Sequence, residues 1–399
     1  MVNTDNSSKK IVCCICGSML LWPLGANATG LPPDPQNAAL LYYQAFLLRP
    51  KADANTEELL DKVLHGAEPN KDIRQYLESC QKTIELAEAA AQMPQCNWGI
   101  QYSKGHGLSS QLAKQLNSLA FLLEMDARLL AADGDYRPAF CRCLIIRRLA
   151  RHVGDDTSLG HMVSLGVDGM ALRGIRHILE TMPLDADTLK WLKDRLTSVR
   201  GAPQSPARAM EMDFKVMLQT IRTNAKTLPW LREELAKNAE DRSAKNDIRN
   251  LTDDEMLARV RKPYEKFLNS VLRAINSDMS YEEKHAEIQR LADKLNEQAH
   301  TNPAIILSMR INAGGMVGTY CYQIRHIAYL NALKAAIEIY LAVAKTGRLP
   351  DKLPDGLPKD PYSSQDFEYE KTKKGFVLRC RVKDIDDAKV QQYEFRVQR

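Results

Sequence analysis

The residues able to do chemistry in this chain are thinly spread. Asp384, Asp386 and Asp387 lie close together near the C-terminus, and closely spaced carboxylates in a turn can offer oxygen ligands to calcium. Lys383 and Lys389 flank them, which favours an ordinary solvated turn. The eight histidines are scattered, and none sits one helical turn from another His or Cys on a ligand-bearing face. His161 and His177 share a glycine-rich helical stretch and read as packed or exposed helix residues. The acidic pairs Glu57-Glu58, Asp155-Asp156, Glu233-Glu234, Asp253-Asp254 and Glu282-Glu283 mostly suit first turns of helices, where negative charge offsets the helix dipole. There is no Gly-x-Ser-x-Gly elbow, His-Glu-x-x-His, P-loop or dinucleotide-binding glycine fingerprint. The run from Pro94 to Leu108 carries Cys96, Trp98, Tyr102, Lys104 and His106. It reads either as a binding loop or as a plug in which Trp98 and Tyr102 fill the gap between two helix ends, and its length favours the plug. No catalytic, cofactor-binding or metal-binding residue is assigned, and no cofactor is expected.

The N-terminus is the most specific signal. Lys9 and Lys10 precede an apolar run from Ile11 to Leu24, followed by Ala26-Asn27-Ala28. This is the three-part pattern of a secretory signal, and it predicts cleavage after Ala28 and an extracytoplasmic location, periplasmic or secreted. The run is too short for a membrane anchor and contains Pro23. No later stretch reads as a bilayer span. Of nine cysteines, Cys13, Cys14 and Cys16 leave with the signal, and Cys80, Cys96, Cys141, Cys143, Cys321 and Cys380 remain. An oxidising compartment permits disulfides without dictating their pairing. Cys141 and Cys143 point to nearly opposite sides of a helix and should not bridge each other. The long helix predicted after Cys80 carries the chain too far for a bond to Cys96, so the pairs are distant or the thiols are buried.

These residues must be positioned by helices. With 399 residues, 44% hydrophobic and 26% charged, the chain has the composition of an ordinary globular protein. A net charge of +5 without long like-charge blocks gives nucleic-acid or anionic-membrane binding little support. Asp34 and Pro35 open a first helix with Ala38, Leu41, Tyr42, Ala45 and Phe46 on one stripe. Asn55 and Glu58 have capping-box spacing for a second, which stops at Gly66. Further helices are predicted over 70–93, 109–132, 137–153, 159–182, 185–199 and 206–224. In the sixth of these eight helices, over 159–182, the sequence carries Gly160, Gly166, Gly169 and Gly174, which read as points of close helix contact. The charge-dense stretch near 226–250 is a candidate sub-boundary. Thr252 with Glu255 and Ser280 with Glu283 are capping boxes for two more helices. A long apolar helix from Thr319 stops at Gly347, and strand-like runs follow at 367–369, 376–382 and 393–397. The expected fold is mainly α: a multi-helix array, an irregular α-solenoid or bundle, spanning 29–345. A small antiparallel β-containing cap over 346–399 should lie on the last long helix.

Two local patterns carry resemblances. Asp133-Gly134-Asp135-Tyr136-Arg137-Pro138-Ala139 is similar to the turn inside a tetratricopeptide repeat, without a second copy. In the tail, a helix through Ala335 and Tyr340 leads into Gly347-Arg348-Leu349-Pro350, then Leu357-Pro358-Lys359-Asp360-Pro361-Tyr362 and an aromatic strand at Phe367 to Tyr369. That order resembles the C-terminal half of type II secretion major pseudopilins. The chain departs from them in lacking the N-terminal methylation motif, and in having Ser363-Ser364-Gln365 where Gly-Asn-Pro is usual. Signal, Asn-Ala-Ala-x-x-Tyr-Tyr opening helix (Asn37 to Tyr43), helical body and this tail together resemble exported proteins of planctomycete-type bacteria. The resemblance implies a cell-envelope setting and a fold, without an activity.

The sequence therefore favours an exported, non-catalytic helical scaffold or binding protein whose partner is a protein or an envelope component. The alternative is an envelope hydrolase whose site assembles only in three dimensions. A deep pocket lined by several titratable groups would favour the hydrolase, and a broad concave helical face the binder.

Overall fold

The computed structural model describes residues 35–154, 156–203, 205–237, 242–301 and 303–398, with the side chains of 242, 244 and 299–315 left aside. The signal-like segment 1–28 with its cleavage after Ala28, the Asp34 cap and Asp155 lie outside the described residues. The described residues from Asn37 onward form one compact unit. Along it run α1 (Ala38–Leu48), α2 (Ala54–Leu64), α3 (Lys71–Ser79), α4 (Gln81–Gln92), α5 (Ser110–Ala132), α6 (Tyr136–Val153) and α7 (Ser158–Thr181). They are followed by α8 (Ala186–Ser198), α9 (Ala207–Thr223), α10 (Thr227–Lys237), α11 (Arg242–Arg249), α12 (Asp253–Ile275), α13 (Tyr281–Thr301) and α14 (Pro303–Thr346). Three strands close the chain: β1 (Glu368–Thr372), β2 (Gly375–Lys383) and β3 (Val390–Arg396).

Capping chemistry sets many of these boundaries. The Thr252 hydroxyl and Glu255 carboxylate satisfy each other's backbone N–H in a capping box, and Ser280 and Glu283 do the same ahead of α13. Asp185 and Ser109 cap α8 and α5 as their positions predicted. Three boundaries differ from the sequence reading. The cap of α1 is Asn37, which accepts from the Ala39 N–H at 3.1 Å. The cap of α2 is Asp53, whose carboxylate takes the Thr56 N–H at 2.8 Å, ahead of the expected Asn55. The helix expected over 70–93 breaks at Cys80, because Asn70 starts one segment and Cys80 both ends it and starts the next. Glu233 and Glu234 are not in a first turn either: they sit late in α10 and pair with Arg249 and Lys237.

The β sheet is antiparallel in the order β1-β2-β3, with Tyr369 opposite Leu378 and Phe376 opposite Phe395. Phe376, Leu378 and Cys380 alternate onto its buried face. That face lies on α14, where the Tyr340 ring meets Phe376 at 5.8 Å and its hydroxyl donates to the Arg396 carbonyl. α14 ends at Gly347, whose φ of +70° is left-handed and suits glycine. Its stretch Met316–Thr346 is long and apolar enough to cross a membrane by length and composition, which corrects the expectation that no such stretch follows the N-terminal run. In this fold Ala332, Leu333, Ala336, Ile337 and Ile339 of that stretch are buried, and α7, α8, α12 and α13 pack on it.

Candidate functional site

α7 has two faces. Leu172, Ile175, Ile178 and Leu179 are buried in the core, whereas Arg173, Arg176, His177, Glu180 and Thr181 form a polar stripe at helical spacing. This stripe is one wall of a cavity of about 630 Å³. The cavity is also lined by residues 63–69 at and beyond the end of α2, by Arg128, Ala131 and Ala132 of α5, and by Tyr136, Tyr329, Arg396 and Gln398. The cavity thus sits where the helical body meets the β cap.

Its floor is ionic. The buried Glu124 carboxylate accepts from Arg128 Nη2 at 3.2 Å and from Arg173 Nη2 at 2.9 Å. Gly174 brings α7 close enough for this, since a Cβ there would stand 2.7 Å from Cys143 Sγ and 3.8 Å from Glu124 Cγ. Of the four glycines expected to give close helix contact, Gly174 does so; at Gly166 and Gly169 a Cβ would meet nothing within 4 Å, and at Gly160 only Thr157, the helix's own cap. Arg128 also donates to the Val63 carbonyl at 3.4 Å, and its Nε is buried without a hydrogen-bond partner. Arg176 is held by Glu180 at 2.8 Å and lies over the Phe395 ring. Arg396 is exposed, and no carboxylate among the described residues is within ion-pair distance of it.

Four guanidiniums therefore meet around one cavity, with Glu68 and Glu180 as the carboxylates along its wall. Planar guanidinium forks recognise carboxylate and phosphate bidentately. Groups for proton transfer are poorly tuned. Burial, helped by the nearby Arg128 charge, lowers the His177 pKa to about 4, so the imidazole is neutral and weakly basic. Burial pushes the Tyr329 phenol up to about 12, against the pull of Arg176 and Arg173. The Thr181 hydroxyl donates to the His177 carbonyl of its own helix at 3.0 Å. No Ser, Cys or Lys is among the described lining residues.

The residues singled out in the sequence go to other places. Asp384 is fully buried, contrary to a solvated turn. It accepts from Tyr281 Oη at 3.2 Å, Tyr362 Oη at 3.0 Å and Arg325 Nε at 2.8 Å, and Arg325 also reaches Asp386 at 3.1 Å. A guanidinium from α14 thus stands where a cation was considered, and among the described residues no three His, Cys, Asp or Glu side chains are grouped to hold a metal. Trp98 is buried, donates Nε1–H to the His152 carbonyl at 2.7 Å and stacks on Tyr42 at 5.5 Å. Tyr102 donates to Asp156 at 3.0 Å, so both aromatic residues of the 94–108 loop fill space between helices. Cys80, Cys96, Cys141, Cys143, Cys321 and Cys380 are not in disulfides, and four of them, Cys80, Cys143, Cys321 and Cys380, are buried.

One ionic constellation was not anticipated. Asp168 of α7 lies 3.5 Å from Arg147 Nε and 3.0 Å from His326 Nε2, and it accepts the Ala202 N–H at 3.2 Å. Burial alone would raise its pKa, but Arg147 and His326 hold it below the ordinary carboxylate range. Gly201 is required beside it, because a Cβ there would be 2.3 Å from Asp168 Oδ2. His161 is buried nearby on α7, with Nε2 2.7 Å from Gln323 Oε1 of α14. With Asp168 and His161 fully buried, these groups tie α6, α7 and α14 together. No protein-family model, no curated protein and no solved structure matches the chain.

Proposed function

We propose that this chain is an exported, non-catalytic helical binding protein of the cell envelope, which holds an acidic ligand in the arginine-lined cavity between α5, α7 and the β cap. The observation that carries this is the convergence of Arg128, Arg173, Arg176 and Arg396 on one cavity of about 630 Å³. That volume is within the range of small-ligand sites, about 300–1,000 Å³. The N-terminal signal pattern supports the envelope setting.

The hydrolase alternative has a specific observation in its favour: His177, Glu180 and Tyr329 are titratable groups lining the same cavity. A general base works best with a pKa near the working pH, and His177 at about 4 is far from that. The two readings separate in a paired assay. Succinate and inorganic phosphate are screened by thermal shift, while ester, amide and phosphomonoester substrates are screened for turnover. Stabilisation by an anion without turnover is expected. Turnover abolished by His177→Gln would overturn the binding reading.

A further inference from the structure

A second groove lies between α12 and α13, which are joined by the short connection 276–280 and pack on each other. It has a volume of about 830 Å³ and shares no residue with the arginine-lined cavity. Its floor is apolar, with Phe267 and Leu295 buried and Leu291 partly so. Its rim is strongly cationic: Lys262, Lys266 and Arg273 from α12 face Arg290 and Lys294 from α13.

The charges of this rim are not internally balanced. Glu287 is the one carboxylate among the described lining residues, and Arg290 holds both its oxygens at 2.7 Å. Among the described residues no carboxylate lies within ion-pair distance of Lys262, Lys266, Arg273 or Lys294. Arg273 instead donates to the Asn269 carbonyl at 3.3 Å and to Ser270 Oγ at 3.1 Å. The whole chain carries 55 Lys and Arg against 50 Asp and Glu, so a rim of five cations and one carboxylate is a local departure. Mixed signs are usual on solvated helix faces. Like charges gathered around an apolar trough repel one another unless something negative lies between them, and what lies in the trough must also be greasy.

We propose that the groove between α12 and α13 binds a single-chain anionic amphiphile, with its alkyl tail on Phe267, Leu291 and Leu295 and its carboxylate or phosphate head among Lys262, Lys266 and Lys294. The apolar floor takes the tail and the cationic rim the head.

The test is calorimetric titration of the full chain with laurate and with dodecyl phosphate, both kept below their micelle concentrations. One-site binding is expected, weakened at least tenfold in Lys266→Glu/Lys294→Glu and weakened by added salt, while Arg396→Ala leaves it unchanged. Because both lysines are exposed, the paired variant keeps the wild-type melting temperature. Dodecyl maltoside, which carries the tail without the charge, binds at least tenfold more weakly. Equal affinity for dodecyl maltoside, unchanged affinity in the lysine variant or tighter capture of an acidic amphipathic peptide would overturn the proposal. So would adsorption to phosphatidylglycerol vesicles with no binding of either monomeric amphiphile.

Discussion

Glu124, buried on α5, accepts a hydrogen bond at 2.9 Å from Arg173 of α7, and so fixes the guanidinium at the cavity wall from beneath. The same carboxylate serves Arg128 one turn along its own helix. Glu124→Gln removes the charge and leaves the nearly buried Arg128 without a counter-ion. Breaking a buried ion pair from one side costs about 3–5 kcal/mol. Urea unfolding should show a loss of about 3 kcal/mol or more, and a loss under about 1 kcal/mol would mean that Arg128 does not depend on Glu124.

Gly174 is where α7 approaches α6. An added Cβ would be 2.7 Å from Cys143 Sγ, so Gly174→Ala should cost about 1–3 kcal/mol by overpacking. Cys143→Ala makes room for that methyl group. The double variant should therefore lose less stability than the sum of the single changes, and strict additivity would place the strain elsewhere.

His177 gives the protein a pH dependence whose sign follows from its shift. Its folded pKa of about 4 lies below the ordinary value of 6.5, so between these values the unfolded chain binds a proton that the native chain does not. Stability therefore falls as pH is lowered from about 6.5 to about 4, by at most about 3 kcal/mol before solvent screening. Urea midpoints at pH 7, 5.5 and 4.5 should fall more steeply for wild type than for His177→Gln, which has no imidazole to protonate, and parallel pH dependence of the two would contradict the shift. An anion in the cavity would favour the imidazolium, so binding should tighten as pH falls from 7 to 5, with proton uptake seen as buffer-dependent heat.

The Asp384 cluster fastens the β2–β3 turn to α13 and α14 through Tyr281, Tyr362 and Arg325. Burial opposes the Arg325 charge, but its bond and charge pairing with Asp384 raise its pKa above the ordinary value. Arg325→Ala leaves a buried carboxylate with two tyrosines, and hydrogen exchange should show the β2–β3 turn and the start of α13 losing protection first. Uniform loss across α1 to α7 would show that the cluster is not a local fastening.

The helical frame was legible because caps and apolar stripes are local: Thr252 with Glu255 and the Gly347 stop sit within a few residues of what they specify. The strands were legible from their aromatic runs. The break at Cys80 was not, since the apolar stripe through Tyr76, Leu77 and Ile84 runs across it without a Gly or Pro. The cavity was not anticipated: the sequence reading of α7 rested on its glycines and on His161 and His177, and Arg128, Tyr329 and Arg396 are brought beside Arg173 and Arg176 by tertiary contacts that no spacing rule reports. Asp384 was misread for the same reason. Its neighbours Lys383 and Lys389 suggested solvent, whereas its partner Arg325 is 59 residues away.

Anion binding in the arginine-lined cavity is the property most directly open to measurement. Titration calorimetry with succinate and inorganic phosphate should compare wild type with Arg396→Gln, since that side chain is exposed and pairs with no carboxylate among the described residues. The expected result is saturable one-site binding of at least one anion, weakened tenfold or more in the variant and by added salt, with the melting temperature little changed. Absence of binding by either anion to the wild type, or equal affinity in the two proteins, would contradict it.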